Sequence, residues 1–138
     1  MMKRMLAVVV CLMMYCPAAF ADDTIKIGAF FDLSGRAAFI GTPTKLVAEM
    51  VVEKINGEGG INGKQLELIV ADTEADPAKA ASIAKKFIHK EGVVAIVGPT
   101  LTDTGMVVKK IVEKGQTPTF MTVGGDPVIM GGKFGPFD

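Results

Sequence analysis

Short apolar, β-branched runs alternate along the chain with longer stretches whose apolar residues recur every three or four positions. "TIKIGAFF", Thr24 to Phe31, is the first run and stops at the turn-forming cluster "DLSG", which predicts a strand. "TPTKLVAEMVVEKING" then sets Leu46, Val47, Met50, Val51 and Ile55 on one stripe at helical spacing. Thr42 stands in cap position, Pro43 suits the first helical position and Gly57 the C-terminal stop, so the first helix is expected to begin there.

After "GEGGINGK", the run "QLELIVAD" predicts a second strand from about Gln65 to Asp72. Asp76-Pro77 repeats the start signal, and "AKAASIAKKFIHKEG" puts Ile83, Ala84, Phe87 and Ile88 on a common face of a second helix ending at Gly92. "VVAIVG" predicts a third strand, "MVVKKIVEKG" a third helix stopping at Gly115, and "TPTFMTV" a fourth strand from about Pro118. The order is βαβαβαβ. Strands apolar on both faces suit a Rossmann-like parallel sheet with helices on each side, joined by right-handed crossovers. In such α/β sheets ligands bind beyond the carboxyl ends of the strands. The loops "DLSGRAAFIG", "DTEAD", "GPTLTDTG" and "TVGGDP" leave those ends and are expected to line one rim.

Composition changes the picture mainly at the amino terminus. Residues 1 to 21 have a basic start at Lys3 and Arg4, an apolar stretch from Met5 to Met14 and a small-residue end at Ala19-Phe20-Ala21, the pattern of a secretory signal peptide. The apolar stretch is short of the roughly 20 residues a membrane span needs, so no stable membrane insertion is expected after cleavage. Cys16 does not make a lipoprotein signal, because bulky Tyr15 precedes it. Cleavage after Ala21 removes both cysteines, Cys11 and Cys16, so the exported chain is expected to be held by core packing without a disulfide. It also leaves 13 basic against 15 acidic residues and no basic run, which argues against nucleic acid and anionic membrane surfaces as partners.

Several patterns that suggest chemistry fail on spacing. "GEGGINGK" has the wrong count for a phosphate loop, carries Gln65 where Ser or Thr is needed, and follows a helix instead of a strand; it reads as a helix stop and a turn. No Gly-x-Gly-x-x-Gly follows the first strand, so no cofactor is expected. His89 is the one histidine and stands near a helix end opposite the rim, which supports neither a metal site nor a catalytic triad. Asp76 reads as the cap of the second helix, with Asp72 and Glu74 solvating a loop. Lys109, Lys110, Glu113 and Lys114 read as the wet face of the third helix. No catalytic constellation emerges, so no enzyme activity is expected.

"GPTLTDTG" is different. A helix N-terminus offers unsatisfied N–H groups and partial positive charge, and so holds an anion without a basic side chain. Thr100, Thr102 and Thr104 add hydroxyls able to donate to a carboxylate. The alternative reading is ordinary capping by Thr102 or Asp103.

"IKIGAFFDLSG", "EKINGEGGINGKQLELIVADTEADPAKAASIAKKFI" and "GVVAIVGP", in this order and spacing, resemble the periplasmic Leu/Ile/Val-type binding proteins of ABC importers. The resemblance implies a two-lobe α/β protein that closes on an amino acid and hands it to a transporter permease, with residues 22–138 forming the first part of lobe one. It places ligand contacts after the third and fourth strands. The family's hydroxyl contact falls on Thr102, its backbone contact near Val123 and its threonine on Gly125, while the aromatic of the first loop falls on Ile40 before Gly41. Gly125 and Ile40 depart from the family pattern. Either Thr122 supplies the missing hydroxyl or the ligand lacks an α-amino group, as an aromatic or other small organic acid would. A periplasmic solute-binding protein is the expectation, with an extracytoplasmic sensor domain of the same fold as the rival. The family's greater length implies that this segment alone is incomplete and leaves a sheet edge and apolar faces open.

Overall fold

The computed structural model describes residues 24–125; the expected signal peptide, the Asp126-Pro127 end of the fourth loop and the carboxyl terminus lie outside them. Four parallel strands form one sheet in the order β2-β1-β3-β4, with β1 at Ile25–Phe31, β2 at Leu66–Asp72, β3 at Ala95–Val97 and β4 at Thr119–Phe120. The connecting helices are α1 at Ala38–Gly57, α2 at Pro77–Lys86 and α3 at Thr102–Gly115. The alternation read from the sequence is therefore the observed α/β architecture. β4 is only two residues long, since the chain leaves the sheet after Phe120 to build the rim.

α2 begins as expected: the Asp76 carboxylate accepts from the N–H groups of Ala78 (2.7 Å) and Lys79 (3.2 Å), with Pro77 just inside. Its last turn, Phe87–Glu91, widens to a π turn and closes at Gly92 in the left-handed conformation. α2 and α3 pack together over one face of the sheet. Phe30, Ala80, Ala84, Phe87, Val93, Ile96, Val108 and Val112 form the core between them and the strands, with the Phe30 and Phe87 rings tilted at a centroid distance of 5.1 Å.

The other face is covered by α1 over β1 and β2, and here two expectations need correcting. A 3-10 turn at Gly35–Ala37 leads straight into α1, so Pro43 stands inside the helix and Thr42 does not cap it. The early start is possible because Gly41 sits against the end of β1, where a β-carbon would lie 2.1 Å from the Asp32 carbonyl oxygen. The stripe read as one packing face is also largely open: Leu46, Val47, Met50 and Val51 are 50–67% exposed. The sheet side of α1 is instead Gly41, Ala48, Val52 and Ile55, buried or half-buried. Small residues let the helix approach the strands closely, and its bulkier apolar face is left over. Phe120, paired with Val97 in register and thus on the α1 side of the sheet, is likewise 73% exposed.

Candidate functional site

The carboxyl ends of the four strands converge, and Asp32 holds three of them. It follows β1 directly and is fully buried. One carboxylate oxygen accepts the Thr73 hydroxyl, just beyond β2, and the Ala75 N–H at 3.1 Å. The other accepts the Thr100 hydroxyl, beyond β3, at 2.6 Å. A buried carboxylate is tolerable only with such donors, so these loops are fixed relative to one another through one side chain.

Asp72 braces the same loops from outside. It accepts from the Leu33 N–H (2.9 Å), the Ser34 hydroxyl (2.7 Å) and the Glu74 N–H (2.9 Å). Partial desolvation pushes its carboxyl up, but the hydrogen bonds from Ser34, Glu74 and Leu33 outweigh it and hold the group below the ordinary carboxylate value. The reading of Asp72 as a loop-solvating residue is corrected accordingly. Asp76 is the cap, and Glu74 pairs with Lys79 at 2.5 Å.

Gly98 lets the chain leave β3: its φ is 93°, and a β-carbon there would lie 2.3 Å from the Phe30 carbonyl oxygen. Of the threonines that follow, Thr100 donates to Asp32 and Thr104 to the Leu101 carbonyl at 2.9 Å. Thr102 is the first residue of α3, whose cap position is Leu101 with no side-chain cap bond. The Thr102 hydroxyl therefore does not cap the helix, and it has no hydrogen-bond partner among the described residues. Asp103 accepts from the Thr104 N–H at 2.9 Å and pairs with Arg36 of the first loop at 2.8 Å, which offsets its negative charge near the helix start.

The fourth loop closes against the third. The Thr122 N–H and hydroxyl donate to the Pro99 carbonyl at 3.3 and 3.4 Å, and Gly125 lies against the Thr102 side chain. Val123 is half-buried between them in sequence. Ile40 is in the first turn of α1 and partly exposed, so it is carried by a helix and not by a loop. Gly125 is thus brought against Thr102, and Thr122 against the Pro99 carbonyl next to Thr100.

Residues 24–136 match the family model described as periplasmic binding protein. The chain belongs to that family. Like this periplasmic binding protein, the leucine-, isoleucine-, valine-, threonine-, and alanine-binding protein of Pseudomonas aeruginosa carries the matching segment; the two are 39% identical over 80 residues, 58% of this chain and 21% of the relative. The Leu/Ile/Val-binding protein BraC3 of Rhizobium johnstonii is 32% identical over 110 residues, 80% of this chain and 29% of the relative. The branched-chain amino acid transporter substrate binding protein LivJ of Streptococcus pneumoniae, solved in complex with isoleucine, superimposes with a TM-score of 0.75 at 33% identity, covering 78% of this chain and 31% of that one. This chain spans between about a fifth and a third of the length of these relatives.

Among the described residues of this periplasmic binding protein, no cluster of His, Cys, Asp or Glu could hold a metal ion, and no helix is long and apolar enough to cross a membrane. Sequence reading missed Asp32, which it placed in a turn. The available signal was a carboxylate immediately after a strand apolar on both faces, at the end where ligands bind.

Proposed function

We propose that this chain is one jaw of an extracytoplasmic solute-binding protein that captures a branched-chain amino acid or a similar small carboxylate and delivers it to an ABC transporter permease. The observation that carries the reading is the Thr102 hydroxyl, without a hydrogen-bond partner among the described residues at the first turn of α3. The Thr104 N–H is taken by the Asp103 carboxylate, but the N–H groups of Thr102 and Asp103 stand at the same helix start, so a carboxylate there gains charge-assisted hydrogen bonds and the favourable end of the helix dipole. Thr100 contributes by position more than by donation, since its proton is directed to Asp32. The periplasmic location, the permease partner and the absence of a chemical step belong to the same reading, supported by the family and by what the relatives are named for. A second jaw, closing by a hinge, would complete the ligand's surroundings.

A second reading, a receptor for an aromatic or other organic acid without an α-amino group, is favoured by Gly125, which has no hydroxyl to offer. Titrating leucine, isoleucine, valine and amine-free small acids while following the melting temperature tests both. A specific ligand at 100 times its Kd adds about 2.7 kcal/mol of stability. Stabilisation by amino acids supports the first reading and by amine-free acids alone the second; stabilisation only by a phosphorylated or nucleotide ligand overturns both.

A further inference from the structure

The loops after β3 and β4 meet where a side chain faces a missing one. A β-carbon on Gly125 would lie 2.4 Å from both the Cγ2 and the Oγ1 of Thr102 and 2.9 Å from its Cβ. Nonbonded carbon atoms rest at roughly 3.5–4.0 Å, so even an alanine at 125 would have to displace Thr102 or its own loop. The demand is local: at the neighbouring Gly124 an added β-carbon would meet nothing within 4 Å. Nor does the backbone call for glycine at 125, whose φ is outside the left-handed region, unlike that of Gly98.

Both γ atoms of Thr102 are equally close to the 125 position. Threonine in a helix has two χ1 rotamers open to it, and in the one observed both γ atoms stand where a β-carbon at 125 would come too close. We infer that Gly125 is a positioning residue for Thr102: its absent side chain is the space in which the Thr102 hydroxyl and methyl are held. This rests on the reading of Thr102 as a ligand contact and sharpens it. A side chain at 125 and a threonine at 102 exclude each other, so this corner of the rim offers a carboxylate one side-chain hydroxyl together with the α3 N–H groups. Ligands that need a second side-chain hydroxyl at this corner are disfavoured.

The test uses the 138-residue chain with Gly125→Ala, Thr102→Ser and both together. Thermal melting, NMR couplings that report the χ1 of Thr102, and isoleucine affinity are measured. Gly125→Ala alone is expected to lower the melting temperature, shift the Thr102 χ1 and weaken isoleucine binding about tenfold. In the Thr102→Ser background, which lacks the methyl and lets the hydroxyl turn away, the melting loss is expected to fall to roughly half or less, while isoleucine binding stays weak because the hydroxyl has left its held position. A Gly125→Ala chain that fails to fold while the double variant folds supports the inference equally. Equal melting losses in both backgrounds, an unmoved χ1, or two variants that both fail to fold overturn it. Where the unaltered chain, a single jaw, binds isoleucine too weakly to measure, melting and χ1 decide the Thr102–Gly125 relationship, and the amino-acid reading fails separately if amine-free acids alone stabilise the protein.

Discussion

The Thr100 hydroxyl donates to the buried Asp32 carboxylate across 2.6 Å, which ties the loop after β3 to the end of β1. The same carboxylate holds Thr73 and Ala75 beyond β2. Removing it with Asp32→Ala would leave two hydroxyls and an N–H without an acceptor in a closed site. The expected loss is about 3 kcal/mol or more, read by urea unfolding. A loss under about 1 kcal/mol would mean that water or neighbours replace the carboxylate, and that it does not organise the rim.

Thr102→Val keeps the shape of the side chain and removes its hydroxyl. The expected result is a weakening of carboxylate-ligand affinity by about tenfold or more, or roughly 1.5 kcal/mol, with folding intact. Isothermal titration checks it, and unchanged affinity would remove Thr102 from the site.

Asp72 makes a contribution with a defined pH dependence. Its carboxyl is held below its ordinary value in the folded chain, so the folded state favours the charged form. The stability this adds is present above the unfolded value of about 3.9 and is lost as pH falls through the lowered folded value. Asp72→Asn should therefore be less stable than the parent at pH 6, with the gap narrowing below about pH 4. Melting curves across that range check the sign, and a gap constant with pH would show that the carboxylate's charge is not what the hydrogen bonds favour.

Asp76→Ala removes the two side-chain acceptor contacts at the start of α2. A loss of about 1 kcal/mol is expected from the cap alone. Asp76→Asn should recover most of it, and a failure to do so would point to charge in place of capping.

The open face of α1 predicts an unusual response to polar substitution. Val47→Ser with Met50→Ser should change monomer stability by no more than about 0.5 kcal/mol and reduce self-association in sedimentation velocity, because both side chains lie mostly in water. A loss of several kcal/mol without any change in association would show this face to be covered within the monomer.

The chain's own sequence determined the element order, the parallel α/β class and the bounds of β1, β2 and α2, because each depends on signals a few residues apart. Period-two and period-3.6 runs, Asp76-Pro77 at a helix start and Gly92 at a helix end work through local backbone geometry, and the folded chain keeps them. The spacing of "GPTLTDTG" likewise brought Thr102 to the first turn of α3. Tertiary structure decided the rest. Which apolar face of α1 meets the sheet depends on how closely Gly41 and Ala48 let it approach, and Leu46, Val47, Met50 and Val51 carry no local mark of having lost that competition. Asp32 and Thr100 stand 68 positions apart, and only the neighbouring of β1 and β3 turns a residue in a turn into the acceptor that takes a rim hydroxyl out of use. Gly125 reads as a lost hydroxyl in one dimension; in three it is the room that Thr102 occupies, since steric exclusion between two loops exists only once the sheet has brought them together.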